Sequence, residues 1–155
     1  MLDYLESVEQ RLPALLQDED GWKDLFVTYE TPNVERLYRQ DGENRIYLHR
    51  IHWCALSFYH PHPWPSAMRL VEGAYQMSVG LEKLSVATIQ LEPGSCYEMV
   101  NPESWHSVMP LSPTTLSLMV TGPVWKKTEK STMTNSALTS EQRQALFADF
   151  RRYYK

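Results

Sequence analysis

His60-Pro61-His62-Pro63-Trp64-Pro65-Ser66-Ala67-Met68-Arg69-Leu70-Val71-Glu72-Gly73 is the stretch whose reading governs the rest of the chain. Two histidines stand two residues apart, between a strand-like run ending at Tyr59 and another beginning near Met68. In extended backbone, residues i and i+2 point to one face, so His60 and His62 can aim two imidazoles at one point. Neutral imidazole is the commonest protein ligand for metals from iron to zinc. The spacing therefore predicts half of a metal site. It names no substrate.

Outward from this stretch the sequence reads as strands. Upstream lie WKDLFVTYE, VERLYRQ and RIYLHRIHW, the last two joined at Asp41-Gly42, a strong hairpin signal. Downstream lie AYQMSVG, LSVATIQLE, SCYEMV, WHSVMP and TTLSLMVTG, separated by turns rich in glycine and proline. Many short strands with such punctuation indicate an all-β sandwich or barrel. No helical period appears between residues 22 and 122, which argues against alternating strands and helices.

Helices are predicted only at the two ends. Leu2, Leu5, Val8, Leu12, Leu15 and Leu16 recur at helical spacing over residues 2–17, with Pro13 expected to end or kink the helix. Residues 128–138 read as a polar linker. Residues 140–154 read as a second helix with Thr139 or Ser140 as its N-cap, and Thr139 with Gln142 fits a capping box. The whole, residues 1–155, is expected to be one domain with its core over about 22–125.

Composition narrows the function. Net charge is −4 with the signs mixed, which lacks the basic footprint of a nucleic-acid binder. No run approaches the roughly 18 apolar residues of a membrane span, and Asp3 and Glu6 interrupt the N-terminus before any signal-peptide core. Cys54 and Cys96 make neither a disulfide framework nor a CxxC pair, so reduced thiols and a cytoplasmic location are expected, with both cysteines buried as small apolar groups. Exposed edge strands of a sandwich are often paired, so a homodimer is expected.

A third histidine, His106, opens the strand WHSVMP, and a hairpin-rich sandwich can bring it to the first two. The arrangement resembles the cupin superfamily, whose first motif is G-x5-H-x-H-x3,4-E-x6-G and whose second is G-x5-P-x-G-x2-H-x3-N. His60 and His62 take the paired-histidine positions, Gly73 falls where the family has its turn glycine, and His106 takes the histidine of the second motif. The resemblance covers about residues 45–122 and implies a double-stranded β-helix, or jelly roll, with the terminal helices packed outside. The positions of the family's glutamate ligand hold Ser66 and Ala67. The site thus resembles the three-histidine cupins, such as the thiol dioxygenases. Their Ser-His-Tyr relay and crosslinking cysteine have no counterparts here, so their substrate class does not carry over.

The resemblance implies a divalent metal held by His60, His62 and His106, with Fe(II) foremost and zinc or nickel as alternatives. It implies a small-molecule substrate or ligand, and oxygenase chemistry if the protein is an enzyme. A non-catalytic small-ligand-binding cupin is the competing expectation. Arg50, Trp64, Tyr75, Tyr97, Glu98 and Trp105 are candidate substrate contacts, and His49 and His52 are expected on the strand surface or the pocket wall.

Overall fold

A leucine stripe starts the chain as a helix, and alternating apolar residues then take over as strands. The computed structural model describes residues 1–28, 31–82, 84–125 and 135–155. Helix α1 spans Leu2–Leu15 and contains Pro13, with only two helical residues beyond it. Ten strands follow: β1 Lys23–Val27, β2 Val34–Asp41, β3 Asn44–His52, β4 His60–Pro61, β5 Ser66–Glu72, β6 Tyr75–Leu81, β7 Leu84–Leu91, β8 Cys96–Met99, β9 Ser104–Pro110 and β10 Thr114–Thr121. Helix α2 spans Ser140–Tyr153, and its Thr139–Gln142 capping box is present in full.

The strands form two antiparallel sheets, one ordered β1-β2-β3-β10-β5-β8 and the other β4-β9-β6-β7. Each strand of the larger sheet has two tasks, because its alternate residues face opposite ways. Leu37, Ile46, Leu48, Leu116, Leu118 and Val120 face outward. There they meet Leu5, Val8 and Leu12 of α1 and Leu146, Phe147 and Phe150 of α2. Tyr47, Met68, Leu70 and Met119 face inward and meet Tyr75, Met77 and Val108 of the smaller sheet. The two helices thus cover one face of the large sheet, and the second sheet covers the other.

Gly73 turns the chain from β5 into β6 at φ +78°, and a Cβ there would lie 2.6 Å from the Thr114 carbonyl oxygen. Glycine alone fits both demands. Two expectations need correction. Cys96 is exposed and Cys54 only half-buried, because β8 is an edge strand and Cys54 lies in the loop after β3. Of the expected linker over 128–138, residues 128–134 lie outside the described residues. Its last part is pinned to β1, since Phe26 N–H donates to the Ser136 carbonyl at 2.7 Å and Leu138 N–H to Asp24 at 2.9 Å.

Candidate metal centre

Strand β4 is only two residues long, and its pairing sets the site. His60 is the register partner of His106 on β9, so the two rings lie side by side with centroids 4.9 Å apart. His62 follows where the strand has ended. Pro61 and Pro63 on either side of it offer no N–H to continue a ladder, and the carbonyls of Pro63 and Pro65 are used instead. Pro63 accepts from Trp125 N–H at 3.0 Å and Pro65 from Gly122 N–H at 2.8 Å. These bonds tie the segment to the end of β10 and turn His62 inward, its centroid 4.6 Å from that of His106.

One ring nitrogen from each of His60, His62 and His106 lies within 4.8 Å of the others. The Nε2 atoms of His62 and His106 are 3.0 Å apart. Two nitrogens at about 2.1 Å from one ion, at right angles, stand about 3 Å apart, so the His62–His106 pair matches a first-row divalent metal and His60 completes the cluster. The other ring nitrogens point away to partners. His60 Nδ1 donates to the Phe58 carbonyl at 3.0 Å, which fixes the tautomer with the lone pair on Nε2. His62 Nδ1 meets Ser66 Oγ at 3.0 Å, and His106 Nδ1 lies 3.5 Å from Met77 Sδ.

Electrostatics keep His62 and His106 neutral, the form that binds metal. Burial, then His60 and Arg36, push His62 down to about 3. Burial, with His62 and His60, also holds His106 well below the ordinary histidine range. Trp64 stacks on His62 with ring planes 9° apart and helps to keep water off it.

The trio opens into a cavity of about 200 Å³ between the sheets, lined also by Trp64, Met68, Val108, Met119, His49 and Arg36. Of the candidate substrate contacts, Trp64 alone lines it. Tyr75 and Tyr97 sit behind the site. Their hydroxyls lie 3.1 Å apart beside Met68 Sδ, and the Tyr97 ring is 6.5 Å from that of His106. Burial raises both phenols, Tyr97 to about 12, so both stay protonated.

Three other candidates point elsewhere. Trp105 neighbours His106 in β9 and so faces the opposite way, stacked on Tyr59. Glu98, on edge strand β8, accepts from the Met1 ammonium at 2.8 Å. Arg50 is on the helix-facing side of β3, ion-paired with Glu35 and with Asp149 of α2. His52 shares that side and meets Glu35 at 3.1 Å. His49, of opposite parity, is 4% exposed and forms part of the pocket wall. Burial and Arg36 keep it neutral too.

Arg36 is the lining residue that sequence reading missed. The signal was present, because a two-residue turn at Gly42-Glu43 pairs Asp41 with Asn44 and hence, five steps along, Arg36 with His49.

Two sheets face to face, with a histidine pair on one short strand and a third histidine on its neighbour, match a known architecture. The fold is the cupin jelly roll. No protein family matches the chain by sequence, and no curated protein does. Among solved cupin-fold structures, KdgF from Halomonas sp. is similar with a TM-score of 0.52 and 16% identity, over 63% of this chain and 86% of that one. Hydroxypropylphosphonic acid epoxidase from S. wedmorenis is similar at 0.54 and 11%, over 66% of this chain and 56% of that one. Ectoine synthase from P. lautus is similar at 0.51 and 16%, over 65% and 70%. This chain thus spans little more than half of the epoxidase's length. No helix among the described residues is long and apolar enough to cross a membrane.

Proposed function

We propose that this cupin binds a divalent metal through His60, His62 and His106, with Fe(II) as the working ion, and acts on a small molecule as a dioxygenase. The convergence of three imidazoles carries the reading, since the ring nitrogens not offered inward are engaged by Phe58, Ser66 and Met77. An Fe(II) form of HppE is among the similar cupin folds, with a TM-score of 0.56 at 10% identity, and supports the choice of iron. Bound Fe(II) would supply the redox chemistry. The chain's own residues hold three imidazoles together, stack Trp64 against His62 and line a cavity of about 200 Å³ beside them. None of the described lining residues is a carboxylate, so no lining acid stands as a general base, which weighs against a hydrolase or isomerase.

Elemental analysis of protein purified without a histidine tag, followed by oxygen-electrode assays of the Fe(II)-loaded chain with a panel of small thiols and hydroxy acids, tests the reading. One metal per chain and oxygen uptake with some member of the panel are expected. His60→Ala and His106→Ala should each abolish metal uptake while far-UV circular dichroism stays unchanged. Retained metal in both variants would refute the ligand assignment. A metal-loaded protein inert to oxygen throughout would instead be a non-catalytic small-ligand-binding cupin, with zinc or nickel as a structural ion.

A further inference from the structure

The histidine trio occupies one side of the cavity. Across from it, the inner face of the larger sheet carries a polar row that the metal reading leaves unused. Arg36 on β2 is the register partner of His49 on β3, and His49 is the partner of Ser117 on β10. Register partners project to the same face of a sheet, so the three side chains stand abreast. Arg36 and His49 line the cavity itself.

Two atoms of this row are buried without a hydrogen-bond partner, His49 Nε2 and Ser117 Oγ. Trp64 Nε1, on the metal side of the cavity, is a third. Buried polar atoms are nearly always satisfied, and two exceptions on the wall of one cavity, His49 Nε2 and Trp64 Nε1, point to a ligand that satisfies them. Charge says which kind. Neutral imidazole ligands leave a divalent ion its full double charge, and the Arg36 guanidinium offers N–H donors only. A cation and donor-only groups facing one cavity favour an anion.

The geometry of Arg36 suits the task. Its guanidinium lies over the Tyr47 ring, 5.2 Å from the centroid, and that stacking holds its plane. Five N–H donors allow it to keep a protein partner and still present a fork to two oxygens. His49, packed 5.8 Å from the same Tyr47 ring, is fixed beside it.

We propose that Arg36 and His49 form an oxyanion subsite, and that the ligand is a small organic acid. Its carboxylate or phosphonate rests on these two side chains while a second donor atom reaches the ion held by His60, His62 and His106. The second half of this statement rests on the metal reading above. The oxyanion subsite does not, since both of its residues belong to the sheet opposite the metal ligands. The cavity volume limits the ligand to a few heavy atoms between the two poles.

Calorimetric titration of the full chain, zinc-loaded and metal-free, with glycolate, hydroxymethylphosphonate and the neutral analogue glycolamide tests this. The ¹⁵N shifts of the His49 ring give a local readout. At least one of the two oxyanions should bind and move the His49 signals, with glycolamide at least tenfold weaker on the unsubstituted protein. The difference between the two oxyanions assigns the acid group. Arg36→Met should weaken the oxyanion tenfold or more and Arg36→Lys less, while zinc affinity stays equal or rises because a nearby positive charge is gone. Should Arg36→Met fail to fold, the glycolate–glycolamide pair on the unsubstituted chain decides alone. Equal affinity for acid and amide, or oxyanion binding indifferent to Arg36→Met, would overturn the subsite. Zinc uptake with no oxyanion binding in either form overturns it and leaves the metal reading standing. No zinc uptake, with Arg36-dependent oxyanion binding to the metal-free chain, upholds the subsite and sinks the metal reading.

Discussion

Ser66 stands in the region where four-ligand cupins carry a carboxylate, and the structure gives it a different task. Its hydroxyl holds His62 Nδ1 at 3.0 Å and so sets the angle at which the ring presents Nε2. Partners of this kind orient a ligand without touching the metal, and their loss weakens metal binding by about 10- to 100-fold. Ser66→Ala should do so here, measured by competition with a chelator, with stoichiometry still one metal per chain. An unchanged affinity would mean that packing alone orients His62. The three histidines were legible in the sequence because spacing and strand period suffice to find them. Arg50 shows where reading fails. Sequence alternation groups it correctly with Ile46, Leu48 and His52, but alternation cannot say which face looks into the cavity. That is decided by what covers each face, and here helices α1 and α2 cover the side that bears Arg50. Glu98 failed for a related reason, since β8 proved to be an edge strand.

At the scale of elements, α2 is held in two ways. Its apolar face buries Leu146, Phe147 and Phe150 fully, with Phe147 edge-on to Trp22. Truncating a buried phenylalanine removes its transfer free energy and leaves a cavity, so Phe147→Ala should cost about 3–5 kcal/mol, read from urea denaturation. Its polar side makes ion pairs with the rest of the chain, Arg143 with Asp24 and Arg151 with Glu19.

The second pair predicts a pH dependence. Hydrogen bonding to Arg151 first, then to Gln144, holds Glu19 below the ordinary glutamate value of 4.5. A carboxylate lowered on folding contributes stability that is complete above its unfolded pKa and is lost as pH falls through the folded one. The melting temperature should therefore decline as pH drops below about 4.5, and Glu19→Gln should shallow that decline. An unchanged slope in the variant would place the acid sensitivity elsewhere. The helices and the β2–β3 hairpin were readable because each is specified locally, by a capping box and by a two-residue turn. The partner of α2 was not, because Asp24 and Glu19 are more than a hundred residues away in the chain.

At the scale of the whole molecule, the smaller sheet ends on β7, eight residues without a single charge. Leu84 and Val86 are 69% and 70% exposed, and Ile89 is 41%. Natural edge strands usually carry a charge, a proline or a bulge against unwanted pairing, and β7 has only the bulge at its Val79–Gly80 neighbour. A homodimer joined antiparallel through two β7 edges is the expected state. Light scattering should return twice the chain mass of 18.1 kDa, and Val86→Lys should shift it toward one. A monomeric mass for the unsubstituted chain rejects the expectation.

Strand β10 enters the larger sheet between β3 and β5, pairing Thr121 with Arg45 on one side and with Ser66 on the other. Neither partner is near it in sequence, so most of the closure entropy is spent before the sheet is whole. Topologies of this type refold on about the millisecond-to-second scale. His106 rides on β9, directly ahead of β10, and meets His60 and His62 only once β9 has paired with β4 in the other sheet, a second long-range closure. An unfolded chain offers a metal at most the neighbouring pair. Stopped-flow refolding should therefore run at the same rate with and without the ion, while unfolding slows as the ion is added. Equal slowing or acceleration of both limbs would show that the trio gathers earlier than its strands allow.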